Sequence, residues 1–93
     1  MKTATLTADN LVYTGLGRLR GIFVITDGSN SVTIDAYDNT SAAGTKMIPS
    51  WTITGSDNYA SVSFGNGEGF GTGLYIDITT SGTVSYMVYY EGL

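Results

Sequence analysis

The sequence predicts an all-β domain of seven to eight short antiparallel strands, arranged as a sandwich or a barrel. Three observations support this fold class. Apolar residues recur at alternate positions in several segments, clusters of Gly, Asn, Asp and Ser separate those segments, and no segment has the period of an amphipathic helix. The chain has 93 residues, of which 42% are hydrophobic, so we expect one core and a single domain over residues 1–93.

The first half of the chain predicts four strands. Two weak strands cover residues 3–7 and 11–14, and residues 1–17 are interpreted as an N-terminal arm or an edge strand. Residues 19–26 are rich in β-branched and aromatic side chains, and a turn of Asp, Gly, Ser and Asn follows them. Residues 31–38 alternate strictly between apolar and polar positions. The core positions predicted in this last strand are Val32, Ile34 and Ala36.

The second half predicts strands over residues 46–54, 59–64, 74–79 and 84–90, with a glycine-rich loop at residues 65–73. Because proline has no amide hydrogen to donate to a sheet, Pro49 predicts that the first of these strands lies at an edge or is bulged. Alternation again separates the two faces of the middle strands. The predicted core positions are Ala60, Val62, Phe64, Leu74, Ile76 and Ile78.

The composition argues against several classes of partner. A net charge of −4 and only four basic residues do not provide the clustered Lys and Arg of a nucleic-acid surface. No apolar stretch approaches the roughly 20 residues that span a bilayer, and the first residues lack a signal-peptide core, so we expect neither a membrane segment nor secretion by that route. Without cysteine, the chain is compatible with folding in a reducing cytoplasm.

The residue types also predict that the protein is not an enzyme and carries no cofactor or metal ion. With no His and no Cys, the usual general base, metal ligand and strong nucleophile are all missing. Asp35 and Asp77 could in principle form the acid and base pair of a glycosidase, but their positions predict solvated strand residues. The glycine-rich stretch lacks the Gly-Lys-Ser/Thr ending and the following helix of a phosphate loop. Oxygen-bearing turn residues could hold a calcium ion, although such residues favour turns for conformational reasons; they are Asp27, Asn30, Asp38, Asn39, Asp57 and Asn58.

Two strands are apolar or aromatic on both faces, which is unusual for a sandwich with a wet outer surface. The runs are residues 22–25 and 86–90. One interpretation is that these are central strands covered by the N-terminal segment. The other is a homo-oligomer interface, because Tyr, Phe and Met are favoured and charges are depleted where proteins meet. The outward residues that we select as interface candidates are Phe23, Ile25, Tyr75, Met87 and Tyr89.

Two stretches carry a resemblance to a known class of proteins. IDAYDNTSAAGTK (residues 34–46) and GLYIDITTSGTVSYMVYY (residues 73–90), with the glycine-rich stretch between them, resemble segments of small structural proteins of tailed bacteriophages. The resemblance implies a jelly-roll-like antiparallel β-sandwich in the virion, a capsid decoration or cement protein or a tail component, assembled in the host cytoplasm. It also implies a homo-oligomer, plausibly a homotrimer, that contacts the major capsid protein or another virion protein. Such proteins have no catalytic residues to transfer.

A second function remains open, namely a carbohydrate- or receptor-binding module of a phage tail or fibre. Exposed aromatic rings can stack on sugar faces, and this interpretation depends on such rings being accessible. The candidate anchors are Trp51, Tyr37, Tyr59 and Tyr75.

Overall fold

The computed structural model describes residues 1–93 and contains seven β-strands. In chain order these are β1 (Asn10–Thr14), β2 (Gly17–Thr26), β3 (Val32–Tyr37), β4 (Trp51–Ile53), β5 (Tyr59–Phe70), β6 (Gly73–Thr80) and β7 (Val84–Gly92). No helix long and apolar enough to cross a membrane is present.

The strands form two packed antiparallel sheets, so the all-β sandwich predicted from the sequence is confirmed. One sheet has the order β1-β6-β3-β4, and the other has the order β5-β2-β7. Each sheet therefore combines strands that are distant in the chain, and most contacts in the fold are long-range. The edge strands are β1 and β4 in the four-stranded sheet, and β5 and β7 in the three-stranded sheet.

The core lies between the sheets and consists of the alternate positions of both. Val32, Ile34 and Ala36 are fully buried as predicted, and Leu74 and Ile76 lie beside them. On the other sheet the buried side chains include those of Leu19, Ile22, Val24, Phe70, Tyr86 and Val88. Ile78 and the predicted core positions of β5 are only partly buried against this cluster.

Residues 65–70 of the predicted glycine-rich loop are instead the second half of β5, so the prediction of a loop over residues 65–73 is wrong except at the turn of residues 71–72. Between the paired residues Leu19–Glu68 and Gly21–Ser63, strand β5 has four residues where β2 has only Arg20. Gly65 and Gly67 have φ angles of 62° and 99°, which let the chain bulge and return to the ladder. The Arg20 Nε donates to the Gly65 carbonyl at 2.8 Å and fixes the bulge.

The predicted strand over residues 3–7 is not a regular strand, although the segment does lie along a sheet edge. Isolated bridges join Lys2 to Tyr89 and Leu6 to Tyr86. The Leu6 amide donates to the Tyr86 carbonyl at 2.8 Å, and the Tyr86 amide donates back at 2.9 Å. Between these two bridges the N-terminal segment advances by four residues and β7 by three, so the two segments cannot form a continuous ladder of paired residues. The N-terminal segment nevertheless covers the outer edge of β7.

The edge position predicted from Pro49 is confirmed, but the strand predicted over residues 46–54 forms only at Trp51–Ile53. A bridge joins Lys46 to Tyr37, pairing stops near Pro49, and it resumes only in the three-residue strand β4 at the sheet edge. The missing amide of Pro49 and its fixed φ account for the interruption.

Candidate interaction surfaces

The outer surface of the three-stranded sheet is uncharged over three rows of residues and apolar or aromatic at five of their nine positions, and we call it the aromatic face. Its first row places Ile25 between Tyr59 and Ser85, and its second places Phe23 between Ser61 and Met87. The third row places Gly21 between Ser63 and Tyr89. None of these rows contains a charged residue.

The aromatic face remains accessible to solvent. Tyr59 is 68% exposed, Ile25 49% and Tyr89 39%, whereas Phe23 and Met87 are half-buried. The rings of Phe23 and Tyr59 are parallel within 5°, with centroids 6.2 Å apart. A contiguous group of exposed apolar side chains marks an interaction site in many soluble proteins.

The charged groups next to the aromatic face neutralise each other at one end of it. The Arg20 guanidinium pairs with the Glu91 carboxylate beside the bulge of β5. Between this pair and the Phe23 ring the face is concave, with a volume of about 600 Å³. The floor of this depression lies at Gly21, which has no side chain, and Tyr89 forms part of its wall.

Four of the five interface candidates lie together on the aromatic face, namely Phe23, Ile25, Met87 and Tyr89. The fifth, Tyr75, lies on the outer surface of the other sheet, between Tyr37 and Leu11 in the register. Alternation correctly predicts that a residue points outward, but only the strand order decides on which sheet it lies. The candidate set also omitted Tyr59, the most exposed residue of the aromatic face, although its alternation with Ala60, Val62 and Phe64 was visible in the sequence.

The N-terminal segment covers the edge of β7, and of its residues only Met1 lines the depression on the aromatic face. The Thr3 amide of this segment donates to the Val88 carbonyl at 2.9 Å, and the Met1 carbonyl accepts from the Tyr90 amide at 3.0 Å. These contacts lie at the sheet border, so Ile25 and Tyr59 stay exposed. The interpretation that both apolar strands are central and overlaid by the N-terminal segment is therefore correct for the central position of β2, but wrong for β7, which is an edge strand, and for the cover of the aromatic face.

A second apolar depression, which we call the Trp51 groove, lies where the edges of the two sheets meet. It has a volume of about 470 Å³. Its lining residues are Met47, Ile48, Pro49, Ser50, Trp51, Val62, Phe64 and Glu68. The loop before β4 and the inward face of β5 therefore form opposite walls. Trp51 and Phe64 are half-buried in this groove rather than enclosed by the core.

Asp35 and Asp77 are cross-strand neighbours on the outer surface of the four-stranded sheet. The prediction that Asp35 is solvated is wrong: it is only 9% exposed, accepts a hydrogen bond from the Ser50 hydroxyl and lies 3.3 Å from the Lys46 ammonium. Burial raises the pKa of the Asp77 carboxyl, and the hydrogen-bonded, like-charged Asp9 raises it further. This cluster ties the loop before β4 and the start of β1 to the sheet.

Two turn carboxylates have a conformational role. Asp27 accepts hydrogen bonds at 2.8 Å from the amides of Ser29 and Asn30, and its other oxygen accepts from the Asn30 side chain. Those bonds, led by the one from the Asn30 side chain, lower the pKa of Asp27. Asp38 accepts from the amides of the turn between β5 and β6, including Thr72 at 2.9 Å, which lowers its pKa. Both carboxylates thus satisfy backbone donors of turns.

Comparisons with protein families, with curated proteins and with solved structures gave no match. The resemblance to structural proteins of tailed bacteriophages stays a prediction.

Proposed function

We propose that this protein is a structural, non-enzymatic component that self-associates through the aromatic face. The observation that supports this most strongly is the uncharged arrangement of Phe23, Ile25, Tyr59, Met87 and Tyr89 on one exposed sheet surface. Burying such side chains releases roughly 25 cal/mol per Å² of apolar surface, and aromatic residues dominate the energetics of interfaces. Convergence of the aromatic faces of several copies around a symmetry axis removes this surface from water.

We further propose that the assembly belongs to a tailed-bacteriophage virion, as a capsid decoration or cement protein. The resemblance of residues 34–46 and 73–90 supports this assignment. In this proposal the sandwich is jelly-roll-like and forms a homotrimer. It contacts the major capsid protein or another virion protein, and it is assembled in the host cytoplasm.

Light scattering coupled to size-exclusion chromatography tests self-association. We expect an oligomer for the unchanged protein and a monomer for Ile25→Lys, because a buried, unpaired ammonium weakens association roughly tenfold or more. Thr79→Lys is the matched control, since it adds the same charge at an exposed position of the other sheet. A monomer at high concentration for the unchanged protein, or dissociation by Thr79→Lys alone, would contradict the assignment to the aromatic face.

Co-sedimentation with purified capsids that lack decoration tests the virion assignment. We expect the unchanged protein to pellet with such capsids in a saturable way. An oligomer that never pellets with capsids or tails would retain self-association and remove the virion proposal.

Carbohydrate binding is a second candidate function, favoured by the depression at Gly21. The Tyr89 ring, the hydroxyls of Ser61 and Ser63 and the Arg20–Glu91 pair surround it, which combines a stacking surface with hydrogen-bonding groups. Among the aromatic residues selected from the sequence for this function, Tyr59 is exposed, whereas Trp51, Tyr37 and Tyr75 are half-buried. Glycan-array binding that is lost in Tyr89→Ala, together with a monomeric state, would favour this function over self-association.

A further inference from the structure

Only one of the two edges of the three-stranded sheet is covered by another segment of the chain. The N-terminal segment covers the edge of β7, whereas no segment covers the edge of β5, the longest strand of the protein with 12 residues. In an antiparallel edge strand, alternate residues direct their amide and carbonyl groups away from the sheet. Because the bulge interrupts β5 at residues 64–67, the regular part of this free edge is residues 59–63, which form an unoccupied template for strand addition.

The Trp51 groove runs beside this free edge. Its walls are Val62 and Phe64 of β5 on one side and Met47, Ile48 and Trp51 on the other. The opposing strand, β4, has only three residues, so it does not extend far enough to bury the inward side chains of β5. An added strand next to β5 would direct alternate side chains into this groove, because side chains in a sheet alternate between its faces.

The charges along the edge define the kind of strand that fits. Glu68 is the only charged residue that lines the groove, and it takes part in no ion pair. Residues 57–70 contain no Lys or Arg. Arg18 and Arg20 of β2 reach the bulge of β5, where they donate to backbone carbonyls, but neither lines the groove. The Glu68 carboxylate in the groove therefore favours a basic partner.

We propose that the free edge of β5 and the Trp51 groove bind an extended, basic segment of a partner protein by strand addition. The segment pairs with β5 through main-chain hydrogen bonds, inserts apolar side chains at alternate positions into the groove, and places a Lys or Arg at Glu68. This inference goes beyond the proposed self-association, which uses the aromatic face and not this edge.

Trp51 is the only tryptophan of the chain and lines the groove, so its fluorescence reports occupancy directly. The probe is a capped synthetic peptide of alternating valine and threonine that ends in two lysines; the matched control peptide ends in two glutamates. We expect the lysine peptide to shift Trp51 emission in a saturable way and to bind more tightly than the glutamate peptide. A version of the lysine peptide with N-methylated alternate amides should not bind, because it cannot pair with a strand edge.

The variant Glu68→Lys should reverse the preference between the two peptides, each by roughly two- to fivefold, as expected for an exposed ion pair. Glu68 is exposed, so this variant keeps the fold. Ile25→Lys should bind the lysine peptide as the unchanged protein does, which separates this inference from self-association. The inference is overturned if neither peptide shifts the emission, or if N-methylation has no effect. It is also overturned if Glu68→Lys leaves the preference unchanged, or if Trp51 emission responds only to the concentration of the protein itself.

Discussion

Replacement of Gly21 by alanine tests the packing of the central strand β2. A Cβ atom at this position would lie 2.8 Å from the backbone carbonyl oxygen of Val62, well inside van der Waals contact. The strand cannot move away easily, because β2 is hydrogen-bonded to β5 on one side and to β7 on the other. Relief therefore requires displacement of backbone at the bulge that Arg20 fixes.

Overpacking of this kind costs about 1–3 kcal/mol in the free energy of unfolding. For a domain of this size, each kcal/mol lowers the melting temperature by about 4–8 °C. Thermal unfolding followed by circular dichroism, together with urea unfolding followed by Trp51 fluorescence, measures the loss. The matched control is Gly71→Ala, because a Cβ at Gly71 meets no atom within 4 Å and its φ is not positive. If both variants unfold within about 0.5 kcal/mol of each other, the reasoning about close approach at Gly21 is refuted.

Three further predictions concern the carboxylates and the N-terminal segment. Because the pKa of Asp77 is raised in the folded protein, the protonated carboxyl stabilises the fold at low pH, and this stabilisation is lost as the pH rises through the folded pKa. Asp77→Asn, which removes the charge, should therefore raise the melting temperature at pH 7 but not in acid. Asp38 has a lowered pKa, so Asp38→Ala should lower the melting temperature above pH of about 4 and lose this effect in acid. The buried Tyr86 hydroxyl donates to the Ala8 carbonyl at 2.5 Å. Tyr86→Phe should lower the free energy of unfolding in urea by about 1 kcal/mol and speed amide hydrogen exchange in residues 3–6. Unchanged exchange would contradict a role of this hydroxyl in holding the N-terminal segment.

The regular strands could be predicted from the sequence because their local pattern and their final environment agree. Residues 31–38 alternate strictly, and the structure buries one face of that strand completely at Val32, Ile34 and Ala36. Pro49 likewise acts locally, through its missing amide, so the interruption before β4 follows from one residue.

The second half of β5 could not be predicted because its conformation depends on a distant residue. A run of glycines is compatible with a loop or with a bulged strand, since glycine adopts both positive and negative φ. Arg20, which is far away in the sequence, selects the bulged strand by binding the Gly65 carbonyl. The burial of Asp35 has a similar origin, because Lys46 and Ser50 come from a separate loop.

The candidate surfaces were partly predictable for the same reason. The alternation of side chains along the strands correctly predicted that four residues point outward, and the pairing of β2 with β7 brings them together. These residues are Phe23, Ile25, Met87 and Tyr89. The position of Tyr75 on the other sheet depends on strand order, which alternation does not encode. The Trp51 groove arises only where the edges of the two sheets meet.

The hydrogen bonds between the N-terminal segment and β7 keep one border of the three-stranded sheet paired. Removal of residues 1–6 would leave backbone amide and carbonyl groups of β7 without these partners, because an edge strand directs alternate backbone groups away from its sheet. An uncovered strand border recruits other chains. Six residues with no regular strand of their own thus protect the folded protein from intermolecular pairing along β7.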